Sequence, residues 1–161
     1  MLATRIHERS GIRPILGGNG ACTLDLNTHQ GIGREGFRIA EISPRKLSIT
    51  GNDDLGLLYG IGKFLRMNTY TNGSVTLGTW RGESVPEKPF RAIYFATHFG
   101  NYYEEAPIEE VQRYLEDLAL WGYNTVIVWF DMHQYDGIDD PAAQAMLKRL
   151  NALLEIGRAH V

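Results

Sequence analysis

Two apolar runs, residues 90–97 and 125–130, constrain the fold more than any other feature of the chain. Each is the length of one strand, far short of the roughly 18–20 residues a membrane span needs. Both are apolar at nearly every position rather than at every second one, the pattern of a strand covered on both faces, as in parallel sheets. Each leads through a polar loop, 101–106 and 131–139, into an amphipathic helical stretch. In the first helix Pro107 takes the opening position, with Glu109 and Glu110 in the positive first turn. Ile108, Val111, Leu115 and Leu118 share a stripe flanked by Tyr114 and Trp121, and Gly122 closes the helix. In the second, Asp140 caps, Pro141 follows, and Met146, Leu147, Leu150, Leu153 and Leu154 carry the apolar pattern. Strand, loop and helix thus occur twice, with the tight turn Gly122-Tyr123-Asn124 before the second strand. This is how a β/α barrel or a doubly wound sheet begins, and in both, function gathers on the loops after the strand C-terminal ends.

The first half has a different grammar. Segments 21–26, 36–42 and 47–50 carry alternating β-branched or aromatic residues between Gly, Asn and Pro punctuation, and read as three strands of one sheet. Asn52 or Asp53 then caps a helix whose Leu55, Leu58, Ile61, Phe64 and Leu65 share one face. Gly56 and Gly60 lie four apart on it. Each costs about 1 kcal/mol of helix propensity against alanine, which close approach of helix to sheet offsets. Gly60-Ile61-Gly62-Lys63 is not a phosphate loop, because Leu57 and Phe64 stand where that motif needs a glycine and a Ser or Thr. A turn at 71–74, a strand at 75–80 and a polar connection at 82–89 complete this half. The expected fold class is α/β, with an α+β domain over 1–85 and the start of a (β/α)8 barrel over 89–155.

Both ends read as cut. The opening stretch, Leu2 to Gly11, has the pattern of the last turns of a helix with a glycine C-cap, and no signal-peptide pattern precedes it. If Met1 is internal to a longer gene, that absence is uninformative, and the compartment stays open. At the other end, residues 156–161 break the apolar pattern. Their reverse translation, ATC-GGA-AGA-GCA-CAC-GTC, is compatible with a widely used sequencing adapter, so these six residues are expected to be read-through.

The formal net charge is −3, with Lys and Arg scattered among Asp and Glu. No basic patch can neutralise a phosphate backbone, so nucleic acid is not an expected partner, and neither is a membrane. Cys22 is the single cysteine, a small strand hydrophobe without a disulfide partner or zinc-spaced companions.

Glu35-Gly36-Phe37-Arg38-Ile39, Leu47-Ser48-Ile49-Thr50-Gly51 and Gly56-Leu57-Leu58-Tyr59-Gly60-Ile61 with Phe64-Leu65 resemble the small domain that precedes the barrel in family 20 glycoside hydrolases. That domain is called zincin-like for its fold; no His-Glu-x-x-His occurs here, and no metal is expected. Pro89-Phe90-Arg91-Ala92-Ile93-Tyr94 resembles the family's lead into its first barrel strand, and Trp121-Gly122-Tyr123-Asn124-Thr125 its turn into the second. The resemblance covers about residues 1 to 155. Two places depart from it: Ala96 stands where the family has an aspartate, and Trp129-Phe130-Asp131-Met132-His133-Gln134 replaces a His-x-Thr-Asp-Asp-like run. A relative with an altered sugar pocket, or a barrel glycosidase related to the α-glucuronidases, fits this pattern as well.

The resemblance implies β-N-acetylhexosaminidase-like, substrate-assisted hydrolysis of O-glycosidic bonds, in which the sugar's acetamido oxygen attacks and an Asp-Glu pair orients it and protonates the leaving group. In the family that pair follows about the fourth barrel strand. A barrel takes about 250 residues, and two of its eight units fit here, so the chain alone is expected to be inactive. The expected partner is a carbohydrate, with no cofactor. Arg91 matches the family's arginine that binds ring hydroxyls, although an arginine at a strand start also serves to pair with neighbouring groups. Asp131 and His133 lie beyond the second strand, where their spacing puts both on one side of an extended segment. As a metal site they lack a third ligand. Trp129 is either a sugar platform or a core residue. His98, Tyr102 and Tyr103 suit carbohydrate faces in the first barrel loop, while Glu104 and Glu105 read as a solvated pair. A self-contained carbohydrate-binding or interaction module is the alternative from another class. A flavodoxin-like fold lacks the glycine-rich phosphate loop it would need.

Overall fold

The computed structural model describes residues 1–18 and 20–159. Helix and strand alternate in an α/β arrangement, and the chain divides into two compact units, Met1–Glu87 and Lys88–Val161.

The first unit opens with α1 (Leu2–Ser10), closed by Gly11 in the left-handed conformation, whose N–H reaches the His7 carbonyl at 2.7 Å. Its sheet comprises β1 (Thr23–Thr28), β2 (Phe37–Ser43), β3 (Lys46–Gly51) and, after helix α2 (Asp54–Met67) and the hairpin β4 (Thr69–Thr71) and β5 (Ser74–Thr76), strand β6 (Gly82–Ser84). The order is β1-β3-β2-β6, with β1 parallel to β3 and β2 antiparallel to both β3 and β6. Two expectations are corrected here. The stretch at 82–89 is not wholly a connection, because Gly82–Ser84 extends the sheet, held by the Arg38–Glu83 ion pair between β2 and β6. The strand at 75–80 is only the short arm Ser74–Thr76; beyond it Trp80 leaves the ladder to pack beside Phe37 in the core, ring centres 6.0 Å apart.

The two cap candidates of α2 divide the work. Asp53 caps the helix, accepting Gly56 N–H at 2.8 Å, whereas Asn52 Oδ1 gathers the N–H groups of Gly31, Ile32 and Gly33 at 3.0–3.1 Å and fixes the preceding loop. Close approach of helix to sheet is real: a methyl on Gly56 would sit 2.1 Å from the Gly36 carbonyl oxygen, and one on Gly60 2.5 Å from Ile49. The buried face of α2 is centred on this glycine row with Tyr59, Phe64 and Leu65, while Leu55, Leu58 and Ile61 flank it. Phe37, Ile39, Leu47 and Ile49 supply the sheet's side of the core.

The second unit runs β7 (Ala92–Phe95), α3 (Tyr102–Glu105), α4 (Ile108–Trp121), β8 (Thr125–Val128), a 3-10 turn (Met132–Gln134) and α5 (Pro141–Ala159). β7 and β8 pair in parallel from Ala92↔Thr125 to Phe95↔Val128, and α4 joins them. Pro107 precedes α4 as its cap rather than its first residue, and Gly122 ends it at φ 102°. Phe95, Val111, Leu115, Leu150 and Leu153 form the core, with Ile93, Val126 and Val128 against it. The apolar runs predict cover on both faces, but only one face has it. Side chains alternate across a strand, so with helices on one side Tyr94 and Ile127 stay 47% and 42% exposed on the other. Helix α5 also continues where a break was expected, with Ile156 packed against the core; His160 and Val161 of the expected read-through tail lie outside the described residues. Among the described residues no helix is long and apolar enough to cross a membrane.

Candidate functional site

Parallel pairing brings the C-terminal ends of β7 and β8 to one edge. Trp129 N–H donates to the Phe95 carbonyl at 3.2 Å, and the hydroxyl of buried Thr97 donates to the Trp129 carbonyl. Two loops leave from this edge.

The loop after β7 is folded around Asn101. Its amide donates to the Ala96 carbonyl, and its Oδ1 accepts Tyr103 N–H at 3.0 Å and Glu104 N–H at 3.3 Å, creating the short helix α3 where a polar loop was expected. Glu104 accepts Gly100 N–H at 2.6 Å at the surface, so it also braces the loop. From α5, Arg149 donates to the carbonyls of Tyr103 (2.9 Å) and Ala106 (2.6 Å), closing the loop from the other side. Tyr103 is drawn inward, stacked on Phe95 at 4.1 Å; burial, then the neighbouring Tyr114, pushes its phenol pKa up. Tyr102 remains 45% exposed. His98 lies half-buried, its Nδ1 enclosed without a hydrogen-bond partner, and its ring meets Phe99 edge-on at 4.3 Å.

In the loop after β8, Asp131 and His133 do come together, but not along an extended segment. Asp131 caps the 3-10 turn, its Oδ1 accepting His133 N–H at 3.0 Å and lying 3.3 Å from His133 Nδ1. The short carboxylate captures the backbone two residues on, a competition that aspartate wins against strand continuation. The imidazole projects into solvent with its side chain 95% exposed. Trp129 is 51% exposed, on the open face of the sheet rather than in the core. Phe130 stacks on Tyr135 at 5.7 Å. Burial, followed by the charges of Glu104, Asp140 and Asp131, raises the Tyr135 pKa. The charge of Glu104, from the first loop, thus reaches a phenol of the second.

Four of the five sequence-derived binding residues, His98, Trp129, Asp131 and His133, therefore follow the same strand ends. Arg91 does not join them. It precedes β7, at the opposite end of the strand, roughly 13 Å from its C-terminal end at about 3.3 Å per residue, and its guanidinium donates to the carbonyls of Gly122 and Lys88, both at 2.6 Å. It joins the C-cap of α4 to the strand start, the structural use of an arginine at that position. Among the described residues no three His, Cys, Asp or Glu side chains gather as a metal site. Sequence reasoning missed Phe99 and Arg149. The first had a signal, an aromatic residue followed by Gly100-Asn101 at a strand end; the second, one arginine in a polar helical face, had none.

No protein-family model matches the sequence, and no curated protein does. Solved structures do. A chitobiase of Flavobacterium johnsoniae matches 97% of this chain over 27% of its own, at 17% identity and a TM-score of 0.66. A family 20 β-N-acetylhexosaminidase from Streptomyces coelicolor matches 81% over 27%, at 20% identity and 0.63. A mutant β-hexosaminidase of Streptomyces plicatus, solved with its product GlcNAc, matches 81% over 27%, at 20% identity and 0.60. The chain thus has an α/β fold found in family 20 glycoside hydrolases and spans about a quarter of the length of the solved structures it matches.

Proposed function

We propose that this chain is part of a glycoside hydrolase of the β-N-acetylhexosaminidase type, its first unit the zincin-like auxiliary domain and β7-α4-β8-α5 the first two units of a (β/α)8 barrel. The observation that carries this reading is where the exposed aromatic and polar side chains gather. His98, Trp129, Asp131 and His133 follow the C-terminal ends of two parallel strands, in a fold shared with enzymes of that type. Binding sites of β/α architectures collect at that edge. One solved relative carries GlcNAc, which supports an N-acetylhexosamine as ligand.

The chemistry suits a sugar rim. The Trp129 indole offers a flat apolar surface to the C–H face of a pyranose, while Asp131 accepts and His133 donates to hydroxyls. In this reading the two units supply one side of a sugar pocket, and Arg91 supports it from below by fixing the strand start. The Asp-Glu pair of the substrate-assisted mechanism has no counterpart at these strand ends, so the chain by itself binds without hydrolysing.

Titration of the isotope-labelled chain with GlcNAc and chitobiose, followed by amide chemical shifts, tests this. Perturbations confined to 96–103 and 129–135, weakened by Trp129→Ala and smaller with glucuronic acid, are expected. Perturbations confined to the first unit, or none at millimolar sugar, would overturn the reading. A stronger response to glucuronic acid would move the assignment to the α-glucuronidase type.

A further inference from the structure

Three non-glycine residues among those described adopt positive φ: Glu35 at 57°, Arg45 at 66° and Phe99 at 63°. The first two have local reasons. Arg45 sits in the tight turn between β2 and β3, and Glu35 is buried with its N–H held by Asp53. Phe99 is a bulky aromatic in a region that sterically penalises any Cβ, and the residue is 82% exposed. Its ring meets the edge of His98 at 4.3 Å but lies mostly in solvent, and glycine or asparagine would fit the backbone better. Strain of this kind persists where the surroundings over-determine it, and it clusters at ligand-binding positions. The surroundings here do so: Asn101 ties the loop back to Ala96, Glu104 holds Gly100 N–H, and Arg149 clamps Tyr103 and Ala106.

We infer that Phe99 is a sugar-stacking residue, a second aromatic platform after β7 as Trp129 is after β8, that determines which pyranose faces bind at these strand ends. This rests on the carbohydrate reading above. The ring's chain neighbours suit a sugar. His98 meets its edge at 4.3 Å, and Gly100, Asn101 and Glu104 follow closely in the chain, so polar groups neighbour the ring. A pyranose has that form, an apolar C–H face edged by hydroxyls.

Three variants test the assignment by chitotriose affinity and thermal unfolding. Phe99→Gly relieves the backbone and removes the ring: Tm rises by a few degrees while affinity falls about tenfold. Phe99→Ala removes the ring and keeps the strain, so affinity falls equally without the gain in Tm. Phe99→Tyr restores affinity. If chitotriose binding is lost in Trp129→Ala but unchanged in Phe99→Ala, the role of Phe99 is overturned and the carbohydrate reading stands. A fall in Tm for Phe99→Gly would show that the ring is held by packing and would also overturn it. If the wild-type chain binds no chitotriose, both readings fail together.

Discussion

Asp53 Oδ2 accepts the backbone N–H of Glu35 at 2.8 Å, so the residue that caps α2 also holds a left-handed residue in the turn just before β2. Removing that carboxylate uncaps a helix and strands a buried donor at once. Asp53→Ala is expected to cost about 2–3 kcal/mol in urea denaturation of the first unit; a loss below about 0.5 kcal/mol would show that the two bonds are dispensable.

The same carboxylate gives the first unit an acid limb. Burial works to raise its pKa, but the N–H groups of Glu35 and Gly56, the Asn52 amide and the Arg34 charge together hold it below the ordinary 3.8. A pKa lowered on folding contributes stability above the unfolded value, and that contribution is lost as pH falls through the folded one. The stability difference between wild type and Asp53→Asn is therefore expected to be largest at neutral pH and to shrink below about pH 4. A difference that grows on acidification would reverse the sign of this linkage.

Two glycine-to-alanine changes should move stability in opposite directions. At Gly56 the new methyl meets a backbone oxygen of Gly36 that has no room to yield, and a loss of about 3 kcal/mol is expected. At Gly157, within α5, a methyl meets nothing within 4 Å, and a gain of about 0.5–1 kcal/mol is expected from helix propensity alone. Thermal unfolding of the two variants gives the comparison, and equal effects would refute the close approach of α2 to its sheet.

Asn124 secures the start of β7 from the turn before β8. Its Oδ1 accepts Arg91 N–H at 3.0 Å and the Thr125 hydroxyl at 3.1 Å, while Nδ2 donates to the Pro89 carbonyl at 2.8 Å. Asn124→Ala should destabilise the second unit by about 2–3 kcal/mol. Asn124→Asp, which keeps both acceptor contacts and loses the donor, should cost roughly half as much. If the two variants unfold alike, the acceptor bonds carry none of the effect.

These particulars separate what a sequence displays from what it conceals. Helix α2, its glycine row and the parallel pair β7 and β8 were legible because periodicity and punctuation are local. That Asp53 rather than Asn52 caps α2 was not, since both are good cap residues and the choice depends on which loop donors lie nearby. The strand at 82–84 was missed because Gly82, Glu83 and Ser84 carry no strand propensity; pairing with Arg38 across the sheet supplies it. At the candidate site, the alternation of β8 places Trp129 on the open face, but only the capping turn shows how His133 comes to lie beside the Asp131 carboxylate. For Arg91 the sequence allows either a diol or neighbouring groups, and the choice is not local, because one of the carbonyls it binds, Gly122, lies 31 residues on in the chain and the other is that of Lys88.

The strand order β1-β3-β2-β6 also sets a sequence of events. β2 and β3 are neighbours in the chain and in the sheet, so their hairpin closes only a tight turn. β1 must find β3 in parallel past that hairpin, and β6 must return to β2 across the whole of α2 and the β4–β5 arm. Loop-closure entropy places such non-local pairings late. Pulse-labelled amide exchange during refolding should find β2 and β3 protected before β1 and β6, whereas simultaneous protection of all four would contradict that order. The two outer strands would then be the last to join the sheet and the first to leave it, so transient opening of the first unit would expose the free edges of β2 and β3.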